Sequence, residues 1–133
     1  MSFKTAGDMR WHFDNHVKDG LLRHPADCEA WKTFDQTHES FALDPRNVRL
    51  GLATDGLNPF GNMNIGHSTW PVLLFPYNLP PSMSMKEPYI FMTLLIPGPK
   101  GLGNDIDVYL RLLIDELKML WESGVNTYDV SKN

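Results

Sequence analysis

The run Val48–Gly56 has the pattern of a β-strand that ends in an acidic side chain, Asp55. Side chains at the ends of sheet strands are where α/β proteins bind ligands. Mg²⁺ prefers oxygen ligands, so a carboxylate at the end of a central strand is well placed to hold such a metal. The pattern therefore makes Asp55 a candidate metal ligand.

A second interpretation of this position needs no metal. Gly56 follows Asp55, and Asp-Gly is a common turn dipeptide, so both interpretations stay open. Two-metal phosphoryl transfer needs several carboxylates around ions roughly 4 Å apart. A small hydrolase that combines Asp55 with Asp105 or Asp107 is a further hypothesis. The other candidates are better explained by a helix start and a solvated helix face: Asp105, Asp107, Asp115 and Glu116.

The remaining chemistry-bearing residues give weaker patterns. His12 and His16 are four residues apart on a predicted helix, which is a metal-ligand spacing, but the pattern lacks a third ligand and a general base. Cys28 is the single cysteine, which excludes an internal disulfide and a multi-cysteine zinc site. No glycine-rich phosphate loop is present. The four tryptophans are more typical of core residues than of base-stacking platforms: Trp11, Trp31, Trp70 and Trp121.

Two helices are predicted before the Asp55 strand. Thr5 and Asp8 form a pair that resembles a capping box, apolar residues then recur every four positions, and Gly20 follows as a stop. This pattern predicts a helix over residues 6–18. Pro25 suits the first turn of a second helix, which we expect to end near Thr37.

Three strands follow, each a short apolar run bounded by turn signals. The turn Asp44–Asn47 precedes the first of them. Pro71 and Pro76 flank the second and favour a position near the edge of a sheet. The predicted strands are Val48–Ala53, Trp70–Tyr77 and Tyr89–Ile96.

The last predicted element is a long amphipathic helix. Asn104 can cap its start, acidic residues occupy its first turn, and Gly124 ends it. Two helices, three strands and a long helix predict an α/β or α+β sheet domain. The predicted apolar face of the long helix repeats at helical spacing: Ile106, Leu110, Leu113, Ile114, Leu117, Leu120 and Trp121.

Composition restricts the class of protein. A chain of 133 residues is one domain or part of one. Its net charge of −4 argues against an autonomous nucleic-acid binder, because phosphate binding needs clustered Lys and Arg. No apolar run approaches the ~20 residues that span a bilayer. We therefore expect a soluble intracellular protein with no membrane partner.

Beyond these local patterns, the chain carries long ordered motifs rich in Trp, Pro and Gly. They run from about residue 5 to 129. Among them are Met9–His12, Leu22–Asp27, Asp44–Ala53, Asn58–Met63, Trp70–Val72, Pro76–Pro81, Met85–Pro88, Leu95–Lys100 and Asp105–Leu110.

In these motifs the chain resembles the plant CACTA-type (En/Spm-like) DNA transposases. The resemblance implies an RNase H-like fold, in which three antiparallel strands are followed by a helix and then by further strands. It implies a nuclear enzyme that cuts and joins DNA with Mg²⁺ or Mn²⁺ held by three acidic residues. The first of these acidic residues corresponds to Asp55, and the other two would lie after the long helix.

The resemblance also predicts how this chain is organised. Residues 1–44 would be an N-terminal helical leader, and residues 45–133 the first part of an incomplete RNase H-like catalytic domain. We expect an internal fragment with its later strands missing, inactive alone and with weak or no DNA binding of its own. The alternative hypothesis is a non-catalytic interaction module, derived from a transposase, that self-associates through exposed strands.

Overall fold

The computed structural model describes residues 3–55, 68–98 and 106–128. Within these ranges lie six α-helices, two short 3₁₀ helices and a three-stranded antiparallel sheet. The chain is therefore a mixed α/β protein, as the sequence predicts. Most of the predicted loop after Asp55, and the predicted helix cap Asn104 with Asp105, lie outside the described residues.

The prediction of one helix over residues 6–18 is wrong. Two short helices stand in its place, α1 (Phe3–Asp8) and α2 (Trp11–Asp14), and Arg10 between them has φ −96° and ψ 0°. His16 lies outside both helices. Helices this short are not stable by themselves, so tertiary contacts of their side chains decide where they end.

The second predicted helix is confirmed, with a change of helix type at its start. A 3₁₀ helix covers Pro25–Asp27, and α3 follows over Glu29–Thr37. The structure adds a short α4 (Glu39–Ala42), which carries no periodic pattern of its own. The turn Asp44–Asn47 is confirmed, because its last N–H donates to its first carbonyl at 3.0 Å.

All three predicted strands are present, each with ends displaced by about two residues. They are β1 (Leu50–Thr54), β2 (Ser68–Pro76) and β3 (Phe91–Gly98), and their order in the sheet is β1-β2-β3. The chain between β2 and β3 forms α5 (Pro81–Ser84) and a second 3₁₀ helix (Glu87–Tyr89).

β2 is the central strand of the described sheet, so the prediction that it lies near an edge is wrong. Pro71 pairs with Leu95 of antiparallel β3, and the register shifts between Val72 and Leu73. An irregularity of this kind is where a strand tolerates a residue that has no N–H to donate. Pro76 is the final residue of β2, beyond the recorded pairing with β3.

α6 (Ile106–Ser123) covers one face of the sheet. Its Leu113 is buried in a core cluster with Val72, Leu74 and Ile96. Burial of each such side chain contributes roughly 1.5–3 kcal/mol. The predicted apolar face of α6 is confirmed in part: Leu110 and Leu117 also pack against this core, whereas Ile114, Leu120 and Trp121 are exposed.

The described residues form two compact units. Unit 1 comprises the described residues of Met1–Gly51 and Phe75–Ile90 together with Tyr128, and unit 2 those of Leu52–Leu74 and Phe91–Thr127. The predicted boundary between residues 44 and 45 stays a prediction. Among the helices of the described ranges, none combines the length and the apolar character that a membrane crossing requires.

We expect Gly51→Ala to destabilise unit 1. Gly51 of β1 is buried, and an added Cβ would lie closer than 3.0 Å to the ring of Tyr77. Overpacking of this kind costs about 1–3 kcal/mol of unfolding free energy. Urea denaturation would measure the loss. The matched control is Gly7→Ala in α1, where nothing lies within 4 Å of the added Cβ and we expect unchanged or higher stability.

Candidate functional site

Asp55 is the first residue after β1, and its side chain is exposed. The strand that leads to it does not bury the apolar residues of its alternating pattern. Leu50 and Leu52 are exposed, whereas Gly51 between them is buried. The structure therefore presents Asp55 to solvent at the end of a sheet strand, where a metal ion can reach its carboxylate.

The described residues do not complete a metal site around Asp55. Asp107, Asp115 and Glu116 lie on α6 and are all exposed, in agreement with a helix start and a solvated face. Across residues 3–55, 68–98 and 106–128, no group of three or more His, Cys, Asp or Glu side chains could hold a metal ion. One carboxylate does not fit the two-metal arrangement, so we derive no chemical step through a metal from these residues.

The histidines of unit 1 belong to a different arrangement, centred on Arg49. Its backbone fixes the chain just before β1, since its N–H donates to Asn78 Oδ1 at 2.7 Å and its carbonyl accepts from Tyr77 N–H at 2.8 Å. Asn78 is fully buried and also donates through Nδ2 to the carbonyl of Asn47 at 3.0 Å. The Asn78 side chain thus bonds to the backbone of this segment, as a neighbouring strand would.

The side chain of Arg49 is 9% exposed and makes contacts in several directions. It donates to Asp35 Oδ1 at 2.6 Å and to His12 Nε2 at 3.3 Å. Its guanidinium carbon lies 4.6 Å from the ring centroid of Trp31 and 5.1 Å from that of Phe41, at cation–π distance. Arg49 therefore ties α2, α3 and α4 to the chain that enters β1.

His24 forms a second buried contact of the same unit. Its Nδ1 accepts from Ala26 N–H at 3.1 Å, which caps the first 3₁₀ helix, and its Nε2 lies 3.1 Å from the carbonyl of Leu79. The ring packs edge-on against Trp11, with 5.1 Å between the centroids. Burial lowers the pKa of His24, because a charged imidazolium loses its hydration there.

His16, the second histidine of the predicted pair, bonds to Asp27 at 2.6 Å instead of facing His12 on a helix. Asp27 also accepts the backbone N–H groups of Arg23 and His24, each at 2.8 Å. The Arg23 N–H, followed by those of His24 and His16, lowers the pKa of Asp27 to about 2. These bonds stabilise the loop before the 3₁₀ helix and leave no metal-ligand pair.

Sequence reasoning missed the network around Arg49. The alternating run 48–53 predicts that its polar residues face solvent. In the structure Arg49 is instead buried, and its apolar neighbours Val48 and Leu50 are exposed. Its partners Asp35 and Asn78 are 14 and 29 residues away along the chain, so no local spacing links them. Trp31 is half-buried beside Arg49 and Trp11 is half-buried beside His24, which agrees only in part with the expectation of core tryptophans.

Comparison with known proteins identifies the family. Neither the curated proteins nor the solved structures contain a match to this chain. The family model described as "Transposase family tnp2" matches residues 19–133, which include Arg49, β1 with Asp55 and all of α6, but not the α2 helix that carries His12. Because the match extends over most of the 133 residues, the chain belongs to transposase family tnp2.

Proposed function

We propose that this chain is part of the catalytic domain of a plant CACTA-type DNA transposase, which cleaves and joins DNA strands in the nucleus. Membership of transposase family tnp2 supports an action on DNA in the intact protein. The observation that carries the proposal within the structure is the exposed carboxylate of Asp55 at the end of β1.

The order of the described elements supports an RNase H-like fold for this domain. The strands come in the order β1, β2, β3, with the short α5 and a 3₁₀ helix between β2 and β3. β2 and β3 are antiparallel, and α6 then packs on the sheet through Leu113. A catalytic carboxylate at the end of the first strand of such a sheet would be reached by a metal ion and by a DNA phosphate. We propose Asp55 as one ligand of Mg²⁺ or Mn²⁺, with the remaining acidic ligands supplied from outside the described residues.

Charge supports a division of roles within the intact transposase. With a net charge of −4, this chain lacks the cationic excess that attracts a polyanion, so we propose that it binds DNA weakly or not at all by itself. DNA binding would then depend on other parts of the intact protein, and Asp55 would contribute at the scissile phosphate.

An interaction module is the second candidate function. It is favoured by large apolar side chains that unit 2 exposes on β3 and α6: Met92 is 61% exposed, Leu95 56% and Leu112 71%. An edge strand with exposed backbone groups can pair with another chain. In this alternative, β3 would pair with β3 of a second copy.

Metal-dependent cleavage tests the first function against the second. We expect the intact transposase to nick a plasmid that carries the element ends in Mg²⁺ or Mn²⁺, and to lose this activity in EDTA. Cleavage that persists in EDTA would contradict the proposed metal chemistry. No cleavage with either metal, together with a single defined oligomer of the chain in multi-angle light scattering, would favour the interaction module.

A further inference from the structure

The two buried histidines of unit 1 each receive a hydrogen bond from a group that can only donate. For His12 this group is the Arg49 guanidinium, whose Nη1 lies 3.3 Å from His12 Nε2. A guanidinium has no acceptor, so His12 Nε2 must carry the lone pair and its ring proton lies on Nδ1. A second proton at Nε2 would break this bond and place two cations side by side in a buried position.

His24 is fixed in the opposite tautomer. The Ala26 N–H donates to its Nδ1, and the Leu79 carbonyl can only accept from its Nε2, both at 3.1 Å. The ring proton of His24 therefore lies on Nε2. A second proton at Nδ1 would break the cap of the 3₁₀ helix Pro25–Asp27 and bury a charge, since His24 is only 5% exposed.

The carboxylates near these rings already have other donors. The charged and titratable groups around His12 are Arg49, Asp35 and His24, and Asp35 is paired with Arg49 at 2.6 Å. Those around His24 are His16 and Asp27, and Asp27 accepts from His16 and from two backbone N–H groups. Both carboxylates favour the charged form of the nearby ring, but burial outweighs them, so the pKa values of His12 and His24 are lowered.

We propose that His12 and His24 form an acid-sensitive latch, which holds unit 1 together while both rings are neutral and releases it when they become charged. While both rings are neutral, the bond between His12 and Arg49 connects α2 to the chain just before β1. The contact between His24 and the Leu79 carbonyl connects the first 3₁₀ helix to the chain after β2. Protonation would therefore weaken the contacts that hold the chain just before β1, the strand that leads to Asp55. This inference goes beyond the proposed catalytic function.

The direction in which stability changes with pH follows from the direction in which the pKa values of His12 and His24 are shifted. Burial, and then the Arg49 charge, lower the pKa of His12 below 6.5, and burial lowers the pKa of His24 in the same way. The unfolded chain thus binds more protons than the folded one as pH falls below 6.5, so the stabilisation is complete above that pH and is lost below it. Each histidine can change the folding equilibrium constant by up to about tenfold per pH unit.

Urea denaturation of the full chain between pH 7.5 and 4.5 tests the latch. We expect the folding equilibrium constant to fall by up to about a hundredfold per pH unit below pH 6, from two protons. His12→Gln can still accept from Arg49 and His24→Asn can still cap the 3₁₀ helix, but neither side chain titrates. Each single variant should lose about half of this slope on a logarithmic scale, and the double variant nearly all of it.

Two controls isolate the latch. His38→Gln removes a histidine that contacts Phe34, outside the latch, and should keep the full slope. Asp27 retains its carboxylate in every variant, and its pKa of about 2 keeps it charged in the folded chain over the whole pH range, so its contribution to the slope is the same in all of them. His16 is also unchanged in each of them.

Nitrogen-15 NMR of the histidine rings tests the same inference without a substitution. At pH 7.5 we expect His12 to carry its proton on Nδ1 and His24 on Nε2. Reversed tautomers, a double variant with the slope of the original chain, or a chain that shows no cooperative unfolding at pH 7.5 would each overturn the proposal.

Discussion

Replacement of Asp55 by Asn is expected to lower strand cleavage by the intact transposase more than a hundredfold. The substitution keeps the shape of the side chain but removes its negative charge and exchanges one ligand oxygen for an NH₂ group. Loss of an outer-shell partner of a metal already costs about 10–100-fold in metal affinity or activity, so loss of a direct ligand should cost more. Because Asp55 is exposed, the variant should fold normally.

The matched control is Asp107→Asn, which makes the same chemical change in the first turn of α6. There the carboxylate is exposed and interacts favourably with the helix dipole, which is worth about 0.3–1 kcal/mol of stability. Cleavage by this variant should stay within about twofold of the original enzyme. Plasmid nicking per mole of folded protein is the measurement. Unchanged cleavage by Asp55→Asn would exclude Asp55 from the mechanism. A loss of cleavage in Asp107→Asn would instead support the hypothesis of a hydrolase that uses both residues.

The individual strands and α6 could be predicted because local signals specify them. Apolar runs between turn residues mark the three strands, and heptad-like spacing marks the long helix. Gly124 has a φ of +66° directly after α6, a backbone conformation that L side chains rarely adopt. Its place at the end of the predicted helix is therefore confirmed for a clear steric reason.

The N-terminal part and the sheet order were harder to predict because long-range contacts decide them. The prediction of a helix over residues 6–18 depended on the spacing of Met9, Phe13 and Val17, yet of these three only Met9 is buried. The chain instead turns so that His16 reaches Asp27, eleven residues later. Asp55 was visible from its position after a strand, but which other carboxylates it meets depends on distant segments of the fold. Local pattern does not carry that information.

Arg49→Met is expected to destabilise unit 1 strongly. Removal of one partner from a buried ion pair typically costs 3–5 kcal/mol, and the 31% exposure of the Asp35 side chain reduces this to about 2–4 kcal/mol. Methionine would keep much of the apolar contact with Trp31 and Phe41 but supply no donor to Asp35 or to His12 Nε2. Urea denaturation at pH 7.5 measures the loss.

A surface pair provides the matched control for Arg49. Arg10 bonds to Asp14 at 2.8 Å through an exposed pair four residues apart, so Arg10→Met should have little effect on stability. A similar small cost for Arg49→Met would mean that the buried network contributes little to the stability of unit 1.

A second substitution separates the ion pair from the packing of Arg49. In the variant that combines Arg49→Met with Asp35→Leu, no buried charge remains without a partner, and an apolar replacement of a buried pair is often neutral or stabilising. We therefore expect the double variant to be more stable than Arg49→Met alone by about 1–3 kcal/mol, the usual coupling between contacting residues. Additive losses in the two single variants would instead mean that Arg49 acts mainly through its contacts with Trp31, Phe41 and His12. In that case the contacts of Arg49 with the rings of Trp31 and Phe41, rather than the charge of Asp35, would hold the start of β1 in place.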